Sequence, residues 1–247
     1  MAEGVHYLAG QDPADIAWKL VATNMSDLAA KGAEPLGVLL GYMLGQDDAR
    51  FVAGLDEALA HYNAPLLGGD TISAPGPQVL GLTAIGRVTC RPVPSRAGAQ
   101  VGDALWITGA VGAAMLGLEA LRSGSGDSFA YRRPQALLAE GQALAPHVTA
   151  MMDISDGLLL DAARIARASG VTLAIDSQAV PIATSEARRA EALRWGEDYQ
   201  LLFTAPPGFQ PPVAASRIGQ ALQAGEAPIV LDGMALNEAD GLGYQHG

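Results

Sequence analysis

Asp153-Ile154-Ser155-Asp156-Gly157 is flanked by the apolar stretch Val148-Thr149-Ala150-Met151-Met152 and by Leu158-Leu159-Leu160-Asp161-Ala162-Ala163. The first flank reads as a buried strand and the second as the opening of a helix, so two carboxylates and a hydroxyl fall where strand gives way to helix. Ligands of α/β proteins gather at the C-terminal ends of strands. Carboxylate oxygens suit hard divalent cations such as Mg²⁺, and a helix N-terminus suits an anion. The junction is therefore a candidate seat for a metal-bound phosphate. The competing reading is that Ser155 or Asp156 simply caps the helix that follows.

Three further stretches carry the same kind of chemistry. Pro65-Leu66-Leu67-Gly68-Gly69-Asp70-Thr71 reads as a short strand, two glycines that let backbone approach a ligand, then a carboxylate and a hydroxyl. A plain glycine turn with Asp70 as turn former competes with that reading. Asn24-Met25-Ser26-Asp27 falls inside a helix that Asp12 caps and Pro13 opens, stopping near Gly32. Asn24 and Asp27 share a face with Leu20, Val21 and Leu28, so these polar groups need partners, either in a buried network or in a metal shell. Gly196-Glu197-Asp198-Tyr199 opens a strand, where Glu197 and Asp198 are either functional or solvated turn residues.

Composition narrows the classes. The 247 residues are 49% hydrophobic, enough for a sizeable core in one domain or two. A formal charge of −11 disfavours a nucleic-acid or anionic-membrane surface. An acidic chain that handles phosphates needs bridging cations. Lys19 and Lys31 are the only lysines and neither lies in a Gly-x-x-x-x-Gly-Lys-Ser/Thr loop, so Mg²⁺ and arginine are left to do the neutralising. The single Cys90 excludes an internal disulfide framework and fits a reducing compartment. No leader and no apolar run long enough to span a bilayer is present, so the expectation is a soluble cytoplasmic protein.

Taken in order, Asn24 to Ala33, Leu67-Gly68-Gly69-Asp70-Thr71, Asp153 to Gly157 and Gly196-Glu197-Asp198-Tyr199 resemble thiamine-monophosphate kinase. Ala2-Glu3-Gly4-Val5-His6 and the terminal Gly243-Tyr244-Gln245-His246 match that family at both ends. The likeness spans essentially the whole chain, and the aspartate motifs also mark the family's relatives, which include aminoimidazole ribonucleotide synthetase, selenophosphate synthetase and a hydrogenase-maturation protein. It implies transfer of a phosphoryl group from ATP to thiamine monophosphate with several Mg²⁺ ions, and a homodimer built on the first domain. By motif match, Asp27, Asp70, Asp153 and Asp156 are the implied Mg²⁺ ligands and catalytic acidic residues. Gly69, Asp70, Arg96 and Ser155 are implied near the nucleotide, and His6, Glu197 and Tyr244 near the thiamine. Family members carry, ahead of the Ala2 stretch, a glycine-rich segment with paired aspartates. The expectation is accordingly that an N-terminal segment, part of the metal shell, and loops at 45–47 and 195–196 are missing from this sequence. Two other readings stay open: an ATP-dependent synthetase of the same superfamily, and a non-catalytic divalent-cation or nucleotide-binding module.

The periodicities predict helices over Pro13–Lys31, Asp48–Tyr62, Gly112 to Arg122, Gln135–Leu144 and, following the Asp153 segment, from Leu158 to Ala168. Strands are predicted over Leu36–Leu44, Pro65–Leu67, Gln78–Val88, Ala104–Thr108, Val171–Asp176, Tyr199–Thr204 and near Ile229. Two prolines make Cys90 to Arg96 a linker. The expected fold is therefore α/β (α+β), with domains over 1–93 and 94–247, in the two-domain aminoimidazole ribonucleotide synthetase-like architecture that the resemblance implies.

Overall fold

Asp12 accepts the amide of Ala14 at 2.9 Å and Pro13 fills the first turn, which starts α1 (Pro13–Ala29) where the sequence places it. The computed structural model describes residues 1–244; Gln245 and His246, part of the terminal match, lie outside the described residues. After α1 come β1 (Ala33–Met43), α2 (Asp48–His61), β2 (Leu66–Ile72) and β3 (Leu80–Val88). They form a three-stranded sheet in the order β2-β1-β3, parallel between β1 and β2 and antiparallel between β1 and β3. Leu20, Val21, Met25, Val38, Phe51 and Leu55 make its core, with α1 and α2 packed together.

Residues 89–103 contain no helix or strand. The chain then runs through β4 (Ala104–Ile107), α3 (Ala113–Ser123), α4 (Phe129–Arg132), α5 (Leu138–Leu144), β5 (Ala150–Asp153), α6 (Leu158–Ser169), β6 (Val171–Ile175), α7 (Arg189–Ala192), β7 (Leu201–Ala205), β8 (Ser216–Gln223), β9 (Ile229–Leu231) and β10 (Met234–Leu236). Seven strands make one sheet, ordered β10-β9-β6-β8-β4-β7-β5. Every neighbouring pair but β6–β9 is antiparallel, which gives an α+β layout and not a doubly wound one. The apolar face of α6 covers this sheet through Leu158, Leu159, Ala162 and Ile165.

The two halves are fastened along α1. Trp18 donates to the carbonyl of Pro134 at 3.0 Å, and buried Asp15 is held by both Arg132 and Arg133. Losing both arginines would leave a buried carboxylate unpaired, at a cost of about 3–5 kcal/mol. Ala29, Ala30, Leu144, Met151 and Phe203 fill the seam beneath it. This seam is what holds the Asp27 end of α1 against the Asp153 end of β5.

β1 starts three residues earlier than expected and α5 three later, and two further differences bear on the site. β2 does not stop at Leu67 but continues through Gly68, Gly69 and Asp70, paired in register with Leu39, Leu40 and Gly41. A Cβ on Gly69 would stand 2.0 Å from the Leu40 carbonyl oxygen, so this glycine serves a close approach between strands rather than a turn. β7 begins at Leu201, two residues later than expected, because Glu197 (φ 67°) and Tyr199 (φ 51°) occupy the left-handed region that extended strands exclude.

Candidate active site

Asp153 closes β5 with its side chain nearly sealed from solvent, and its Oδ2 accepts the hydroxyl of Ser26 on α1 at 2.6 Å. Burial pushes its pKa up to about 6, and the charge of Asp27 adds to the rise, while Ser26 and Arg96 oppose it. Asp27 lies at the mouth of the same cleft, accessible to solvent but crowded enough by protein for its pKa to be raised. Lys31 and Arg96 face it, and burial followed by the charge of Arg96 lowers the pKa of Lys31. A cavity of about 450 Å³ thus joins two carboxylates to two cations. Asn24, by contrast, donates to the Leu20 carbonyl of its own helix at 2.8 Å.

The loop after Asp153 is organised by a residue no motif singled out. Asp161 is fully buried, and its Oδ2 accepts the amides of both Ser155 and Asp156 at 3.0 Å. Arg164 donates to Asp161 Oδ1 at 2.6 Å and to Asp156 Oδ2 at 2.5 Å. Burial raises the pKa of Asp161 to about 6. Neither Ser155 nor Asp156 caps α6; Gly157 stands at its N-cap without a side-chain bond. The motif loop is therefore shaped from behind: Asp161 holds its backbone, and Arg164 ties the Asp156 side chain to the same carboxylate.

Against it lies the Gly196–Gln200 loop. Glu197 donates its amide to the Ser155 carbonyl, Tyr199 to that of Ile154, and Ile154 returns one to Gln200, all at 2.9 Å. A Cβ on Gly196 would stand 2.3 Å from the Ser155 carbonyl oxygen, so glycine is required for this contact. Left-handed conformations at Glu197 and Tyr199 are a local strain of about 1–3 kcal/mol each, of the kind found at functional loops. Asp198 faces away and accepts the amides of Gly112 at 2.6 Å and Ala114 at 3.0 Å, fixing the start of α3. Its burial raises its pKa to about 6.

Together these two loops wall a cavity of about 550 Å³ that brings His6, Ser155, Asp156, Glu197 and Tyr244 to one space. His6 Nδ1 accepts the amide of Ala2 at 3.1 Å, and the amide of Tyr244 donates to the Asp156 carbonyl at 2.8 Å. Gly69 and Asp70 are not part of either cavity; both are exposed on β2, where Asp70 accepts the Thr71 amide at 2.9 Å. Among the described residues no three of His, Cys, Asp or Glu converge into a ready-made cation site. Sequence reasoning passed over Lys19, which pairs with Glu197 at 2.9 Å, and over Arg122, Tyr131 and Trp195 on the cavity wall. A lysine among apolar residues of α1 was the one signal that a buried partner had to exist.

Residues 1–88 match the family model described as AIR synthase related protein, N-terminal domain, and residues 100–223 match the one described as its C-terminal domain. Fold and site thus define a two-domain protein of the AIR synthase-related class. The chain is 35% identical over 226 residues to thiamine-monophosphate kinase of Salmonella typhimurium, covering 83% of this chain and 69% of the relative. It is 32% identical over 269 residues to the Leptospira interrogans protein of the same name, covering 100% of this chain and 87% of the relative. A structure of AaThiL complexed with AMPPCP and TMP superposes with a TM-score of 0.87 at 29% identity, covering 99% of this chain and 85% of that one. Thiamine-monophosphate kinase from Stenotrophomonas maltophilia K279a gives 0.87 at 30% identity, covering 96% and 84%. The chain belongs to the thiamine-monophosphate kinase family.

Proposed function

We propose that this protein transfers the γ-phosphoryl group of ATP to the phosphate of thiamine monophosphate, giving thiamine diphosphate and ADP. The observation that carries the reading is the meeting of two motif loops, Asp153–Gly157 and Gly196–Gln200, at a cavity wall they share with His6 and Tyr244. Relatives named for this activity, and a neighbour holding AMPPCP and TMP, support it.

In-line transfer between two anions is governed by positioning and charge neutralisation, and needs no covalent nucleophile. In this reading Arg96 and Lys31 meet the phosphate oxygens of ATP, and the Ser155 hydroxyl donates to them. Glu197 and the exposed ring of Tyr244 hold the heterocycles of the thiamine, and His6 closes the same wall. The donor chemistry of the smaller cleft fits a hard divalent cation. Its groups are oxygen ligands, and Asp27 and Asp153 are close enough for the charge of one to raise the pKa of the other. Asp27 and Asp153 are therefore the residues that would hold Mg²⁺, with Asp156 at the edge of the larger cavity and Asp70 on β2 as the further ligands. Mg²⁺ bound there supplies charge neutralisation of the triphosphate.

A homodimer built on the three-stranded sheet completes the reading. Leu39, Leu66, Leu67, Ile72 and Ile85 are all 40–54% exposed on that sheet, an apolar surface that a second copy would cover. Asp70 would then lie at the interface. The reading places the protein in the cytoplasm, where ATP and Mg²⁺ are abundant. The test is incubation with ATP, Mg²⁺ and thiamine monophosphate, with chromatographic detection of thiamine diphosphate. Formation of the diphosphate supports the reading, and ATP consumption without it refutes the acceptor assignment.

A further inference from the structure

Lys19 is 1% exposed, an environment that a lysine occupies only when its charge is paired. Both carboxylate oxygens of Glu197 lie 2.9 Å from its ammonium. The same ammonium donates to the His6 carbonyl at 3.0 Å and sits 3.6 Å from the centre of the Tyr131 ring. Tyr131 in turn donates its hydroxyl to the His6 carbonyl at 3.2 Å. One buried cation on α1 thus gathers three walls of the larger cavity: the N-terminal stretch, α4 and the Gly196–Gln200 loop.

The Glu197 side chain keeps about a quarter of its surface exposed, while its backbone is held at φ 67°. A carboxylate on so short a loop has its direction set by whatever pairs with it from behind. An apolar residue at position 19 would satisfy the packing of α1 at no desolvation cost, so the charge at this position serves the pairing.

We propose that Lys19 is the positioning residue of the thiamine-side cavity: it aims the Glu197 carboxylate and offsets its charge, so that the wall meets the substrate as an oriented acceptor. The inference rests on the reading of this cavity as the thiamine monophosphate site. Lys19 touches the substrate in no step; it acts through Glu197, and through the His6 carbonyl and Tyr131 that share its protons and its charge.

The experiment is a double-mutant cycle on the full chain with Lys19→Met, Glu197→Gln and the pair combined. Steady-state kinetics are measured against thiamine monophosphate and against ATP, with a thermal melt of each variant. Lys19→Met is expected to raise KM for thiamine monophosphate at least tenfold while leaving KM for ATP within twofold. The double variant is expected to match Glu197→Gln alone, since both changes remove one arrangement. Should Lys19→Met fail to fold, the double variant, which leaves no unpaired carboxylate, still carries the comparison with Glu197→Gln. A further rise of KM in the double variant, an equal rise for both substrates, or an unchanged KM in Lys19→Met overturns the proposal alone. Absence of thiamine diphosphate from the wild-type reaction overturns the reading of the cavity, and the proposal with it.

Discussion

Substituting Gly196 by alanine tests whether the two motif loops act as one unit. The new Cβ would stand 2.3 Å from the Ser155 carbonyl oxygen and 3.1 Å from the Asp156 Cα, whereas real Cβ atoms stay beyond 3.0 Å. The loops must part by about 0.7 Å, and the atoms in the way are backbone, which cannot rotate away as a side chain would. Two backbone hydrogen bonds, from the Glu197 amide to the Ser155 carbonyl and from the Tyr199 amide to the Ile154 carbonyl, lie directly beside the intrusion. Weakening them at about 0.5–1.5 kcal/mol each, on top of an overpacking term of about 1–3 kcal/mol, predicts a destabilisation of about 2–6 kcal/mol. A displacement approaching 1 Å between substrate-positioning groups lowers turnover by about 10- to 100-fold. Thermal melts and initial rates with thiamine monophosphate and ATP provide the assay. Gly225→Ala is the control, because its Cβ would meet nothing nearer than 3.6 Å. Wild-type rate and melting temperature in Gly196→Ala would refute the coupling of the two loops.

Asp70→Asn is expected to leave the melting temperature unchanged, since Asp70 is exposed on β2 and its carboxylate accepts the neighbouring Thr71 amide, a bond that the asparagine oxygen can also accept. It should weaken Mg²⁺-ATP binding by about tenfold or more, measured by calorimetry, and unchanged affinity would remove Asp70 from the nucleotide site. Tyr244→Ala should raise KM for thiamine monophosphate by about three- to thirtyfold with little effect on that for ATP, and a selective loss of ATP affinity would overturn its assignment. The ligand-free protein should gain stability as pH falls from 7 to 5. Asp161 and Asp198 have folded pKa values raised to about 6 from an ordinary 3.8, so their contribution is fully present below pH 3.8 and is lost as pH rises through 6. Each group adds about 1 kcal/mol over that window. Asp12, Glu119 and Glu186, whose pKa values arginine hydrogen bonds lower, act in the opposite direction only at lower pH. A melting temperature that falls steadily from pH 7 to pH 5 contradicts this assignment.

Local signals carried α1, α2 and the β5–α6 junction into the sequence reading. Asp12 with Pro13, and the buried Ala150–Asp153 run ahead of Leu158, are decided by neighbouring residues. β8 escaped notice for a physical reason. Ile218 and Ala221 are its buried residues, three apart instead of two, because the register with β4 slips between Leu105 and Trp106. β2 runs on past Leu67 because Gly68 and Gly69 pair with Leu39 and Leu40 of β1, a partner that no local pattern of residues supplies. His6, Ser155, Asp156, Glu197 and Tyr244 were legible as motif positions, and the structure gathers them in one cavity. The residues that hold them were not legible. Lys19 reaches Glu197 across 178 positions, and Asp161 looks like any acidic residue in the first turn of a helix until its bonds to Ser155 and Asp156 are seen.

Transfer of labelled phosphorus tests the central claim most directly. ATP labelled at the γ position is incubated with the protein, Mg²⁺ and thiamine monophosphate, and the products are separated. The account predicts the label in the terminal phosphate of thiamine diphosphate, in one-to-one proportion with ADP. Label found only in inorganic phosphate, or retained in ATP, would contradict it.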